Sequence, residues 1–172
     1  MAFFETIHYT VIQKDGPIEL REYDDILLAS TQTPINIKQN SGFSRIFNYI
    51  SGENKENTKI SMTTPVVTYE ENNRLVTGFY VPSKYNKETV PKPNKDMVFI
   101  NELESSLYAV IKFKGKWTEK NYDQHDQILL NYLKDSQYKI VSQRFVFRYQ
   151  PPMFPGFLRR NEIAYQIILK NA

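Results

Sequence analysis

The 172-residue sequence predicts an α+β fold built from two β-rich halves, each carrying one helix, closed over a shared core as a single domain. Three observations carry this expectation. The apolar spacing switches from period two to period 3.6 and back, twice along the chain. A proline-bearing loop interrupts it near the middle. Stretches of the two halves also match at a nearly constant shift of about 80 residues, the mark of a duplicated supersecondary unit. The halves run from about residue 18 to 82 and from about 96 to 170.

The elements follow in order. Gly16-Pro17 supplies a turn before IELREY, Ile18 to Tyr23, whose alternation of apolar and charged residues predicts a strand with one face buried; ILLASTQT from Ile26 is a second strand. In SGFSRIFNYISG, Phe43, Ile46, Phe47 and Ile50 fall at i, i+3, i+4 and i+7 and gather on one stripe of a helix, with Ser41 as its N-cap and Gly52 as its stop. VVTYEENNRLVTGFYVP reads as two strands joined by the polar turn Glu71-Asn72-Asn73, because β-branched and aromatic residues flank a run that cannot be buried.

SKYNKETVPKPNKD is the interior loop. Beyond it, MVFINELESSLYAVIKFKG repeats the strand, acidic turn, strand pattern. TEKNYDQHDQILLNYLKD repeats the helix, with Thr118 as N-cap and Tyr122, Leu129, Tyr132 and Leu133 on one face. YKIVSQ, RFVFRYQ and NEIAYQIILK complete the strands. The matches that support duplication are YDDILLAS with LESSLYAV, IFNYIS with LLNYLK, and KISMTTPV with KIVSQRFV. Pro65 sets the preceding Thr64 in extended geometry and turns the chain into the next hairpin.

Composition bounds the chemistry. With no cysteine, disulfides, thiolate metal sites and thiol nucleophiles are excluded, and a cytoplasmic location is expected. The opening MAFFETIHYTVIQKDG does not read as a secretory leader, and no apolar run approaches the roughly 20 residues of a membrane span. A net charge of +3 is spread along the chain without a concentrated basic face, so no nucleic-acid partner is expected.

His8 and His125 stand far apart, and neither has a partner at ligand spacing, so no protein-only metal site is expected and His125 reads as a structural residue. No nucleophile elbow surrounds any serine, and the six glycines form no phosphate-cradling run; hydrolase and kinase readings find no positive support. What stands out is 12 tyrosines and 11 phenylalanines, several of them at turns and helix edges. Aromatic faces beside a few basic groups suit a flat, apolar, carboxylate-bearing ligand, although the same composition also suits an aromatic core.

The segment PPMFPGFLRRNEI, Pro151 to Ile163, sharpens the alternatives. Met153, Phe154, Phe157 and Leu158 in a turn are either folded back onto the core or held out for a partner. The Arg159, Arg160 and Glu162 run reads as an ion-pair cluster that pins the turn.

Five stretches together resemble the SOUL haem-binding family: IELREYDD, GFSRIFNYISGEN, KISMTTPVV, PSKYNKETVPKP and PGFLRRNEI, in the family's order from about Tyr9 to Leu169. The resemblance implies a pseudo-two-fold distorted β-barrel related to gyrase-inhibitor-like small-molecule-binding domains. It also implies non-covalent binding of haem, porphyrin or a similar flat hydrophobic ligand, as carrier, buffer or sensor. The ligand residues it implies are Phe43, Phe47, Arg45 and Asn48 on the first helix, and Tyr149, Met153, Phe154, Phe157 and Arg159 around the closing loop.

Two positions depart from the family pattern. Where some members carry a histidine in the first-strand motif, this chain has Glu22, so no axial imidazole is offered there. Where some carry a basic residue after the second helix phenylalanine, this chain has Asn48. Haem would then be held chiefly by packing, with iron bound by another group such as Met153, a tyrosine or water. The alternative readings are an enzyme acting on such a ligand, a hydrolase or dechelatase, and a protein-interaction module whose partner the sequence does not name.

Overall fold

A computed structural model of the chain describes residues 4–35, 40–94 and 97–171, with Asn40 and Ser41 described by backbone only. In chain order the elements are β1 (Glu5–Thr6), β2 (Tyr9–Asp15), β3 (Ile18–Tyr23), β4 (Ile26–Pro34), α1 (Asn40–Ile50), β5 (Thr63–Thr64), β6 (Val66–Glu71) and β7 (Arg74–Tyr80). Then come β8 (Phe99–Leu103), β9 (Ser106–Lys114), α2 (Glu119–Lys134), β10 (Tyr138–Ile140), β11 (Phe145–Arg148) and β12 (Arg160–Leu169). The α+β class expected from the periodicity is the class observed.

Two compact units divide these elements. The first holds residues up to Ile7 together with Asp25–Glu104, the second His8–Asp24 with Ser105 onward. In the first unit β6, β7, β4 and β8 form an antiparallel sheet in that order, and β1 pairs in parallel with β5. α1 packs on the sheet through Ile46, Tyr49 and Ile50, which join Ala29, Phe79 and Val81 in the core. In the second unit the antiparallel order is β2, β3, β9, β12 and β11, with β10 on a later stretch of β12. α2 covers it through Tyr122, Leu129 and Leu133, buried with Leu20, Ile111 and Ile163.

The order β8, β4, β7, β6 in one unit parallels β3, β9, β12, β11 in the other, so β4 and α1 correspond to β9 and α2, as the matched stretches anticipate. One assignment follows no local pattern. Strand β3 lies within the span 18–82 but pairs with β9, from Ile18 opposite Ile111 to Tyr23 opposite Ser106. Likewise β8 pairs with β4. Each repeat therefore gives its first strand to the other unit, a consequence of long-range pairing that sequence periodicity does not encode.

Local chemistry explains the joints. Asn72 and Asn73 both have positive φ, 51° and 59°, the left-handed pair required by a tight two-residue hairpin between right-twisted strands. The turn is thus Asn72-Asn73, with Glu71 still in β6. Gly52, at φ 120°, ends α1: its N–H donates to the Tyr49 carbonyl and that of Glu53 reaches back to Asn48, satisfying carbonyls the helix would leave open. The expected N-cap Ser41 instead lies inside α1, which begins at Asn40, and its side chain is outside the described residues.

Thr118 does cap α2, its hydroxyl oxygen accepting from the Asn121 N–H at 3.2 Å. Thr118→Ala is expected to lower stability by about 1 kcal/mol, read as a lower urea midpoint at unchanged slope.

One strand expectation needs correction. The charged residues of IELREY were expected to face solvent, yet Glu19 and Arg21 are buried and only Glu22 is exposed. Side chains from neighbouring strands close over that face, the Tyr9 ring against Arg21, Lys112 at Glu19 and Glu162 at Arg21, so the charges are paired inside.

Candidate functional site

In the first unit, α1 offers more apolar surface than its sheet can take. Gly42 lets the helix start close to β7: a Cβ there would lie 3.0 Å from Thr77 Oγ1 and 3.4 Å from Thr31 Cγ2. With the helix seated so, Ile46 and Ile50 are buried, Phe43 is half-buried, and Phe47 remains 53% exposed at the rim. The expected single stripe is therefore split, two residues inward and two at the edge. Phe43 and Phe47 stack with ring centroids 6.4 Å apart and planes 23° apart. Beneath them Met62, Val66 and Phe79 line a narrow apolar cleft of about 10 Å³, too small for a macrocycle, so a flat ligand must lie on the outer ring faces or part the rings.

On the flank of the same helix, Arg45, Asn48 and Glu53 line a more polar cavity of about 60 Å³ with Pro93, Met97 and Val98. Arg45 is fixed there by donating to the Gln32 carbonyl at 3.1 Å and to Thr31 Oγ1 at 3.4 Å. Standing two residues from each phenylalanine, Arg45 lies almost opposite the two rings around α1, so this cavity and the aromatic face are separate features of the helix.

In the second unit the Pro151–Leu158 turn is not folded back on the core. Met153 is 89% and Phe157 69% exposed, with Phe154 and Leu158 less so. The turn is nonetheless held from within. The Phe154 N–H donates to the Pro151 carbonyl, a 3₁₀ turn spans Gly156–Leu158, and Arg159 donates to the carbonyls of Pro152 at 2.5 Å and Phe154 at 3.1 Å. The Arg159 guanidinium also lies over the Trp117 ring, 4.1 Å from its centroid.

Behind the turn lies the charge cluster of the LRRNEI segment, larger than the sequence reveals. Glu162, wholly buried, accepts two parallel bonds from Arg21 at 2.8 Å each, two from Arg160 at 2.7 and 3.3 Å and one from the Tyr149 hydroxyl at 2.8 Å. Arg21, also wholly buried, donates to Glu19 at 2.7 Å and to the Tyr23 hydroxyl at 2.7 Å, and its guanidinium covers the Tyr9 ring at 4.0 Å. Lys112 adds a 3.4 Å contact to Glu19.

Burial opposes charge on each of these groups, and pairing overrides it. Burial alone would raise the Glu162 carboxyl, but hydrogen bonds and charge from Arg21 and Arg160 hold it below the usual carboxylate range. Glu19 is lowered against the same opposition by Arg21 and Lys112. Burial would lower the Arg21 guanidinium, yet Glu162 raises it, so it stays charged. Burial and then the Glu162 charge push the Tyr149 phenol up, keeping it a neutral donor.

The structure thus brings Phe43, Phe47, Arg45 and Asn48 together on one helix, and Met153, Phe154 and Phe157 together on one exposed turn. Tyr149 and Arg159 have other attachments: the first is buried against Glu162 and under Arg160, the second ties the turn to Trp117. Sequence reading missed Glu19, Arg21 and Tyr23. Their signal was opposite charges two apart on one strand face, in a chain with an Arg-Arg-Asn-Glu run to pair with. His125 is structural, as expected, its ring stacked 4.0 Å from that of Phe113 and its Nδ1 2.7 Å from the Asn121 carbonyl. Among the described residues no group of three His, Asp or Glu is placed to hold a metal. No helix among them is long and apolar enough to cross a membrane.

The chain is 28% identical over 164 residues to Heme-binding protein 1 of Xenopus tropicalis, covering 89% of this chain and 85% of that protein. It is 25% identical over 160 residues to Heme-binding protein 2 of Mus musculus, covering 86% and 77%. In structure it is similar to the EcmrR C-terminal domain, with a TM-score of 0.66 over 94% of this chain and 98% of that one at 11% identity, a likeness of fold alone. The family model described as SOUL heme-binding protein matches residues 4–166, nearly the whole chain, and with it the chain belongs to the SOUL haem-binding family.

Proposed function

We propose that this protein binds haem or a related tetrapyrrole non-covalently on the aromatic face of α1, in the cytoplasm, as a carrier, buffer or sensor. The observation that carries the proposal is the stacked, partly exposed Phe43 and Phe47 pair. The rings supply the affinity, at about 25 cal/mol per Å² of apolar surface removed from water. Asn48, next after Phe47, is the nearer polar group for a propionate, and an ion pair to Arg45 around the helix adds about 1 kcal/mol or less. Membership of the family and the names of its relatives support the ligand class. The exposed Met153, Phe154 and Phe157 are a second apolar surface open to the ligand.

Titration with haemin tests this directly. A saturable, shifted Soret band is expected, with Phe47→Ala weakening binding by about tenfold. Arg45→Ala is expected to weaken it by only a few-fold, and Phe154→Ala in the same titration measures the share of the turn. A spectrum that never departs from free haemin would end the proposal.

A further inference from the structure

We propose that the Pro151–Leu158 turn is a docking tip for an anionic phospholipid surface: it dips its apolar side chains among the lipid chains while a basic collar meets the headgroups. The turn is the same one offered above as a second surface for haem, but docking needs no bound ligand and is tested without one.

The first observation is a cluster of apolar side chains held in water by a fixed turn. Met153 and Phe157 are the extreme cases, with Phe154 and Leu158 beside them. Three prolines, the 3₁₀ turn and the two Arg159 bonds to the carbonyls of Pro152 and Phe154 hold the backbone that presents them. A tip already ordered loses little conformational entropy on docking.

The second observation is the charge around it. The turn packs on the end of β9: the Gly115 N–H donates to the Arg159 carbonyl at 3.1 Å, and a Cβ at Gly156 would meet Lys116 Cγ at 2.9 Å. From Ser105 to Thr118 and from Gln143 to Asn161 the only charged residues are basic, among them Lys114, Lys116 and Arg159. Glu162, next after Asn161, is wholly buried and paired, and the nearest exposed carboxylate in sequence is Glu119 at the start of α2. Trp117 lies under Arg159 at this level, a residue type that favours the boundary between lipid and water.

Apolar side chains at the front and cations behind match the layering of an acidic bilayer surface, where each basic residue near the headgroups adds attraction and the tip adds burial. A nucleic acid would use the same cations and stack on phenylalanine, but Met153 and Leu158 offer no face for stacking. A protein partner would need a concave apolar seat, and side chains this exposed fit a soft medium without one.

Co-sedimentation of the haem-free full chain with phosphatidylcholine vesicles containing roughly a third phosphatidylserine tests the idea, against pure phosphatidylcholine. Binding is expected to the acidic vesicles and to weaken with salt. Met153→Ser with Phe157→Ser is expected to reduce it by about tenfold or more, and Lys114→Glu with Lys116→Glu to abolish it. Both pairs lie at exposed positions, so melting temperatures close to the parent's verify folding. Failure to sediment with acidic vesicles, binding indifferent to the tip substitutions, or binding to a single-stranded oligonucleotide in place of vesicles would each overturn the assignment.

Discussion

Replacing Glu162 with leucine is expected to destabilise the protein by about 3–5 kcal/mol, because it leaves the buried Arg21 guanidinium without its two-bond partner. In a chain of this size that corresponds to a fall in melting temperature of roughly 10 °C. The loss reflects how costly an uncompensated buried charge is, and it differs from the net worth of the pair. Arg21→Met combined with Glu162→Leu is therefore expected to cost less than the sum of the two single changes, since the second removes the charge that the first strands. Urea unfolding of the four proteins gives the coupling; simple additivity would show that Arg21 and Glu162 do not act as a pair.

Acidification should act on the same cluster. Glu162 and Glu19 have folded-state pKa values below their unfolded values, so the unfolded chain binds more protons over the interval between them. The stability they contribute is fully present above the ordinary glutamate value of about 4.3 and is lost as pH falls through the lowered folded values. Unfolding free energy should be nearly flat in their contribution from pH 7 to about 5 and decline steeply below about 4. Glu162→Gln, which keeps the shape and removes the titrating group, should start lower at neutral pH and decline more gently. A slope in acid equal to the parent's would place the sensitivity elsewhere.

These two expectations rest on a feature that local patterns conceal. Period-two alternation in IELREY correctly marks a strand, and nothing in the six residues says that a second strand will cover each edge. Alternation places Glu19 and Arg21 on a polar face, and polar faces are ordinarily wet. Here Tyr9 from β2, Lys112 from β9 and Glu162 from β12 close over that face. The helices were easier. Thr118 as cap and Gly52 as stop are local devices whose geometry depends on a few neighbouring residues, and both are where their chemistry puts them.

The candidate site divides along the same line. That Phe43, Ile46, Phe47 and Ile50 share a helix stripe follows from 3.6 residues per turn. Which of them reach the core depends on how close Gly42 lets α1 approach β7. That Met153, Phe154 and Phe157 sit in a turn follows from three prolines and a glycine. Their direction outward depends on Arg159 spending its guanidinium on the turn's own carbonyls and on Trp117.

By itself the sequence determined the α+β class, the main strands and helices from Ile18 onward, the repeated order of elements and the family resemblance, because periodicity, turn chemistry and motif order are properties of neighbouring residues; β2, Tyr9–Asp15, was not among the strands it marked. The tertiary structure decided which unit each repeat's first strand joins, which charges are buried, and which aromatic rings face water. Those outcomes depend on pairings between residues as far apart as Arg21 and Glu162, and no local window contains both ends of such a pair.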